Sequence, residues 1–482
     1  MTFSPFTQDI GWTASLGQER HCRYQNRFPD SAAFNVPVGA TFTGDVDAGA
    51  MEAALRAVAA RHVPLRSRYA WGETGRLRVH PVDPASVPVT RHDLSRCATD
   101  AERAEGLADI GATAAARPFR LESEPATRAH LVRLTANETA LVLSVHHASF
   151  DGWSSPVFFA ELADQYRAAT TGEQPRRPVQ THTYADFAVE QRRTLAAGGF
   201  DLQLEHWRAA LRDPAGPLSW PDGAADPTAP WWAGDMAWAS IPADLVIAVQ
   251  AEARAAGTTL FGWTLAIFKL ALHRFSGSSQ VAVGTPYAAR TDRRWSDTIG
   301  FFANTVVMES ALATTATFRQ LVRSAHAEST LAHRYQDVPY GVVVDTLAPE
   351  QVPDRTPYFQ TMFIVQNTPL PETAFGPLRL RTTKIVTGSA RYDMTFCLGW
   401  RRGRLALELE TRPALVSQEI AIEFAREFFG LLAASVADPD AVAAGAAPLE
   451  VKLGIRRSCE RAPGVDGLFE GLVGDWRASK EH

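Results

Sequence analysis

The residues able to do chemistry gather in one stretch, His146-His147-Ala148-Ser149-Phe150-Asp151-Gly152. Histidine exchanges a proton near neutral pH, so paired imidazoles followed by a carboxylate suit proton transfer to or from a nucleophile. Leu141 to Val145, just before them, are apolar or small and mostly strand formers, which predicts a buried strand. Strand side chains alternate, so His146 and His147 are expected to face opposite ways, one toward a cavity and one into the protein body. Asp151-Gly152 reads as a turn. A helix is expected next, with Ser155 at its N-cap, Pro156 at its first position and Phe158, Leu162 and Tyr166 as its apolar stripe. This local order presents a His at a strand end, with a carboxylate held near it by a tight turn.

The elements that must position this stretch are legible on either side. Ala126 to Leu134 and Thr139 to Val145 read as a strand pair turning at Ala136-Asn137-Glu138. Ala48 to Arg61 is an amphipathic helix, with Met51, Leu55 and Val58 at i, i+4 and i+7. Ala101 to Ala116 is a second helix, and the one after Pro156 ends near Thr171-Gly172. A Pro-rich linker, Glu173 to Pro178, marks a lobe boundary that divides residues 1–176 from 177–482. Beyond it, Pro214 to Trp232 reads as an irregular loop, Gly257 to Phe275 as a helix, and Val281 to Asp292 as a buried strand and turn.

Composition narrows the class. At 482 residues, 46% hydrophobic and 21% charged, the chain reads as globular, with room for two or three domains. A net charge of -5 excludes a general basic field for nucleic acid. No run reaches the ~18 apolar residues of a membrane span. The most apolar stretch, Leu260 to Leu272, is interrupted by Lys269 and reads as a buried helix. The opening MTFSPFTQDIGW shows no secretory pattern. Cys22, Cys97, Cys397 and Cys459 are scattered without metal-ligand spacing, which points to free thiols in a cytoplasmic protein.

HHASFDG, His146 to Gly152, resembles the HHxxxDG motif of nonribosomal peptide synthetase condensation domains, in the chloramphenicol-acetyltransferase-like superfamily. Further segments resemble that family in its order. Ser15, Gln18 and Arg20 match its opening motif. Arg61, His62, Leu65, Arg66 and Tyr69 match an Arg-His-x-x-Leu-Arg-x-x-Phe motif. Tyr184, Asp186, Phe187 and Ala188 match Tyr-x-Asp-Phe-Ala-x-Trp, with Glu190 where the family often has Trp. Gly300, Phe302, Asn304 and Thr305 match Gly-x-Phe-x-Asn-Thr. Tyr335 to Val344, Asp354 to Asn367 and Ser389 to Trp400 resemble later segments.

The resemblance implies an α/β fold of two chloramphenicol-acetyltransferase-like lobes in a V-shaped pseudo-dimer, joined by strand exchange around a central tunnel. It implies no bound cofactor, a donor thioester on the phosphopantetheine of a partner acyl or peptidyl carrier protein, and an amine or alcohol acceptor. The catalytic set is His147, His146, Asp151 and Gly152. His147 acts as general base or positions the nucleophile, and His146 leans structural. Asp151 is implied to face an Arg, either Arg61 or Arg290. The Gly152 N–H is a candidate oxyanion donor, with a purely conformational role as its alternative. Asn304 and Ser389 are implied to line the tunnel. No adenylation or carrier segment is found, so a free-standing condensation enzyme is expected, with Arg290 to Arg294 and Arg401 to Arg404 as candidate carrier-docking patches. The alternatives are an inactive recruitment module and an epimerisation-type sister, although the latter's Glu-Gly-His-Gly-Arg segment is not found.

Overall fold

The structure, a computed structural model, describes residues 11–221, 225–349, 355–366, 375–383, 385–401 and 403–457. Cys459, most of the opening segment, and Asp354 and Asn367 lie outside the described residues.

Two mixed sheets form the frame. The first has five strands in the order Arg379–Thr383, Asn35–Thr43, Glu138–His146, Thr127–Thr135 and Val89–Asp93. All neighbours are antiparallel except Val89–Asp93, which runs parallel to Thr127–Thr135. Its central strand, Glu138–His146, is buried from Ala140 onward because both faces are covered, which is why it reads as an apolar run rather than an alternation. The second sheet has seven strands, in the order Asn304–Ala311, Gln280–Tyr287, Thr361–Gln366, Met394–Arg401, Arg404–Thr411, Asp235–Ser240 and Ile455–Arg457. A small three-stranded sheet of Trp12–Thr13, Leu77–Pro81 and Ser67–Trp71 completes the first lobe.

The strand Arg379–Thr383 belongs to the second half of the chain, yet it pairs with Asn35–Thr43 in the first sheet. Ile299, Phe375 and Leu378, also from the second half, are buried in the first lobe's core with Phe42, Met51 and Leu141. The second half of the chain therefore contributes a strand and core side chains to the first lobe, and a division at 176/177 crosses both.

The helices follow the expected periods. Ala48–Arg61 buries Met51, Leu55 and Val58, and Asp47 caps it by accepting from the Ala50 N–H at 2.9 Å. Leu260–Ser276 starts three residues later than the sequence suggests, because Thr259 is its N-cap. It is buried from Gly262 through Leu272, Lys269 included. The Lys269 ammonium donates to Ser310 Oγ at 2.7 Å and pairs with Glu328, so its charge is compensated inside the core. Among the described residues no single helix is long and apolar enough to cross a membrane.

One close approach locks the lobes. A Cβ placed on Gly300 would lie 2.0 Å from the Tyr184 ring. Tyr184 donates from its hydroxyl to the Phe301 carbonyl at 2.5 Å, and Ser15 Oγ lies 2.8 Å from the same hydroxyl. Three of the family-like segments thus meet at one tyrosine. Gly300→Ala is expected to destabilise the protein by about 1–3 kcal/mol through overpacking. Chemical denaturation measures this, and an unchanged midpoint would show that the Tyr184 contact is loose.

Candidate active site

The catalytic stretch departs from the sequence expectation at its turn. The strand ends at His146, and His147 opens a short 3-10 turn, His147–Ser149. The helix then runs Ser154–Thr171, one residue ahead of the expected N-cap Ser155. The reason is Asp151, whose Oδ1 accepts from the Ser154 N–H at 2.8 Å and satisfies a donor that a capping Ser155 would have left inside the turn.

The two imidazoles have different duties. His146 is fully buried, and both ring nitrogens are engaged. Its Nδ1 accepts from the Ala148 N–H at 3.2 Å, so Nε2 carries the proton and donates to Gln25 Oε1 at 3.3 Å. With no lone pair left over, His146 organises the turn. His147 is only partly buried. Its Nδ1 lies 2.6 Å from the Phe150 carbonyl, which can only accept, so Nδ1 bears the hydrogen. Nε2 keeps its lone pair. Burial pushes the His147 pKa down to about 3, and the Arg391 cation adds to the fall against the opposing bond to Phe150. The ring is therefore a neutral base throughout the physiological range.

Asp151 is an inter-lobe anchor. It is 1% exposed, and five contacts surround it. Oδ1 accepts from the Ser154 N–H and Oγ–H, both at 2.8 Å, and from Arg290 Nη2 at 3.0 Å. Oδ2 accepts from the Phe302 and Ala303 N–H groups at 3.0 and 3.3 Å. Of the two candidate guanidiniums, Arg290 is the partner. Arg61 is corrected: it pairs with Glu161 at 3.1 Å and donates to the Pro178 carbonyl, because its helix packs against Ser154–Thr171 on a face away from the turn. Arg290 also donates to the Trp295 and Thr298 carbonyls, each at 2.7 Å, and lies over the Phe302 ring.

The remaining candidates divide. Gly152 is exposed, its φ is not left-handed, and a Cβ there would meet nothing within 4 Å. The local backbone does not demand a glycine, which removes the conformational reading. Asn304 commits its whole amide to one segment, donating to the Gln336 and Val338 carbonyls at 2.6 and 2.7 Å and accepting from the Tyr340 N–H at 2.9 Å. Ser389 is buried and bonds through its backbone to Thr387 Oγ1 at 3.2 Å. In the first docking patch Arg290 is buried on Asp151, Arg294 pairs with Asp292 and Glu190, and Arg293 and Arg294 are exposed. In the second patch Arg401 pairs with Glu408. Each of these three finds a carboxylate brought in by the fold.

Sequence reasoning missed His21. Its ring stacks on His147 with centroids 5.1 Å apart, and Phe301 meets both rings edge-on. Burial, followed by the His147 neighbour, lowers its pKa well below the ordinary value. The signal was present in the helix Leu16–Arg27, whose buried face is Gln18, His21, Cys22 and Gln25. A polar stripe at helical spacing on a buried face marks a site rather than a core. Gln18 and Tyr69, both in the family-like segments, grip the turn: Gln18 Nε2 donates to the Ala148 carbonyl at 3.0 Å, and Tyr69 meets Ser149 Oγ at 2.6 Å. Among the described residues no group of three or more His, Cys, Asp or Glu is placed to hold a metal ion.

Two mixed sheets, the first completed by a strand from the second half of the chain, give the two-lobed fold of chloramphenicol-acetyltransferase-like proteins. Within that class the chain belongs to the condensation-domain family, whose model matches residues 12–445. A linear gramicidin synthase component of Brevibacillus parabrevis is 32% identical over 439 residues, covering 90% of this chain and 6% of the relative. Phosphinothricin tripeptide synthetase PhsC of Streptomyces viridochromogenes is 32% identical over 434 residues, 88% of this chain and 39% of the relative. The chain thus spans a minor part of these relatives. The X-domain from teicoplanin biosynthesis superposes with a TM-score of 0.82 at 23% identity, covering 93% of this chain and 99% of that one. The first condensation domain of the calcium-dependent antibiotic synthetase superposes at 0.76 and 20% identity, covering 92% and 100%. Condensation domains use no bound cofactor, and their phosphopantetheine is carried by partner carrier domains.

Asp151→Ala leaves Arg290 buried without its anion and is expected to cost about 3–5 kcal/mol. The Asp151→Ala/Arg290→Ala double variant should lose less than the sum of its single variants, and strict additivity would contradict the pairing. His21, His146 and His147 all fold with lowered pKa values, so below about pH 6.5 the unfolded chain binds more protons than the native one. Stability is therefore fully present above that pH and declines as acid is added, by about 1.4 kcal/mol per pH unit for each ring. His21→Leu should flatten the fall in melting temperature between pH 7 and pH 5, and an unaltered slope would remove His21 from that set.

Proposed function

We propose that this chain transfers an acyl or aminoacyl group from a carrier-protein phosphopantetheine thioester to an amine, with an alcohol as the second acceptor class, in secondary-metabolite biosynthesis. The observation that carries this reading is His147: its Nδ1 is fixed on the Phe150 carbonyl and its Nε2 is free as a base. The acceptor nitrogen attacks the thioester carbonyl carbon, and a C–N bond forms. One proton passes from nitrogen to His147 Nε2. The tetrahedral adduct collapses, the C–S bond breaks, and the departing thiolate takes that proton. The products are an amide and a free thiol. Holding both reactants together at His147 supplies effective concentration, and proton transfer adds roughly 10²–10⁴-fold. The Gly152 N–H, at an exposed turn, is the proposed donor to the oxyanion.

A docking module of the kind represented by the X-domain shares the fold, and fold alone does not separate the two readings. Turnover does. Acyl carrier and an acyl N-acetylcysteamine thioester are compared as donors at equal concentration, with an amine acceptor. Carrier-dependent product supports the proposal, and equal use of the free thioester sinks the carrier requirement.

His147→Ala is expected to lower kcat/KM by about 10²–10⁴-fold with its melting temperature retained. Because the His147 pKa is near 3, its protonation does not shape the rate between pH 5 and 8. The acid limb of the pH profile should instead belong to the acceptor ammonium and move when an amine of different pKa is supplied. A limb that stays fixed across acceptors would assign it to the enzyme.

A further inference from the structure

Arg391 is a cation at the base for which the acyl-transfer scheme so far has no use. It lies in the loop that leads into Met394–Arg401 of the second lobe, but its side chain reaches the first. Nε donates to the Ala33 carbonyl at 2.6 Å, and the guanidinium carbon stands 5.0 Å from the Phe34 ring centroid. That ring centroid is 4.3 Å from His21 and 6.2 Å from His147. Only one aromatic ring separates the cation from the stacked imidazoles. Its charge is felt by all three rings: it lowers the pKa of His21, His146 and His147, and for His147 it is the foremost charge acting.

Several other guanidiniums are paired within the protein. Arg290 has Asp151, Arg61 has Glu161, Arg128 has Glu124, Arg355 has Asp393 and Arg401 has Glu408. Among the described residues Arg391 has no carboxylate. Arg391 is half-buried, and a planar guanidinium fork is shaped for a carboxylate. No carboxylate among the described residues meets this cation, and one ring away stands the base, so the anion is supplied by what binds there.

We propose that Arg391 binds the carboxylate of the acceptor, and that the acceptor is an amine with a free carboxylate, of the amino-acid class, rather than an amine whose carboxyl is already a carrier thioester. This rests on the acyl-transfer reading of the site. An α-amino acid places its nitrogen one carbon from its carboxylate, so a clamp on one end orients the other toward His147. An aminoacyl thioester offers a neutral carbonyl there and leaves the cation uncompensated.

The test supplies acyl carrier as donor and a panel of common L-amino acids as acceptors, each beside its carboxamide, its methyl ester and its carrier-bound thioester. Free acids should be used at least tenfold better in kcat/KM than their amides and esters. In Arg391→Gln that ratio should fall toward one, with the loss mainly in the acceptor KM. Arg391→Lys should restore part of it. Equal use of acid and amide by the wild type, a preference for the carrier-bound acceptor, or an equal loss for every acceptor in Arg391→Gln would overturn the proposal. Calorimetric titration of the same free acids and amides, without donor, reads binding apart from turnover. Carboxylate-dependent binding that needs Arg391, with no product from any donor, retains this proposal and overturns acyl transfer. No carboxylate dependence in either assay overturns this proposal alone.

Discussion

The structure depends on one buried carboxylate. Asp151, 1% exposed, has both oxygens filled by backbone N–H groups, a hydroxyl and a guanidinium. Ser154 belongs to the first lobe, and Arg290, Phe302 and Ala303 to the second half of the chain. A charge in this position is tolerable only while every donor is present, so the lobes are held in a single relative placement. The same carboxylate starts the helix Ser154–Thr171 and ends the turn that presents His147. Lobe packing, helix capping and presentation of the base are thus one interaction.

Around this anchor the burial that stabilises the site also tunes it. His147 lies against His21, Phe34 and Phe301, which makes the charged imidazolium expensive and keeps the ring neutral. The Phe150 carbonyl fixes which nitrogen is free. A neutral imidazole with one nitrogen unoccupied can accept a proton without first losing one. The cost appears as acid sensitivity, since three rings held neutral all favour the unfolded state at low pH. The same aromatic packing thus holds the ring and sets its charge state, with Arg391 beyond Phe34 as the nearby cation.

Much of the frame was legible from sequence because periodicity is local. The helix at Ala48–Arg61 and the strand pair around Asn137 follow from residue patterns alone. The HHASFDG stretch, the candidate base and the need of Asp151 for an Arg were all visible in order along the chain. The family-like segments were separately short, and the fold shows why they occur together. Ser15, Gln18, Tyr69, Tyr184 and Gly300 converge by hydrogen bonds or direct packing on the turn and its lobe contact. Where the reading slipped by a residue, as at the helix start, a side chain from the preceding turn had taken the capping role.

The sequence by itself determined the type and placement of the elements, the identity of His147 as the candidate base, and Asp151 as an anion in need of a cation. Tertiary structure alone decided which cation. Arg61 and Arg290 are equivalent in sequence terms, but Arg290 lies 139 residues from Asp151 and reaches it across the lobe contact. It also decided that His146 has no free nitrogen, that Arg294 and Arg401 are occupied by carboxylates, and that His21 and Arg391 flank the base. The physical reason is common to all of these. Propensity and periodicity act within a few residues, whereas charge compensation, ring stacking and desolvation depend on distances in space that only the closed pair of lobes sets.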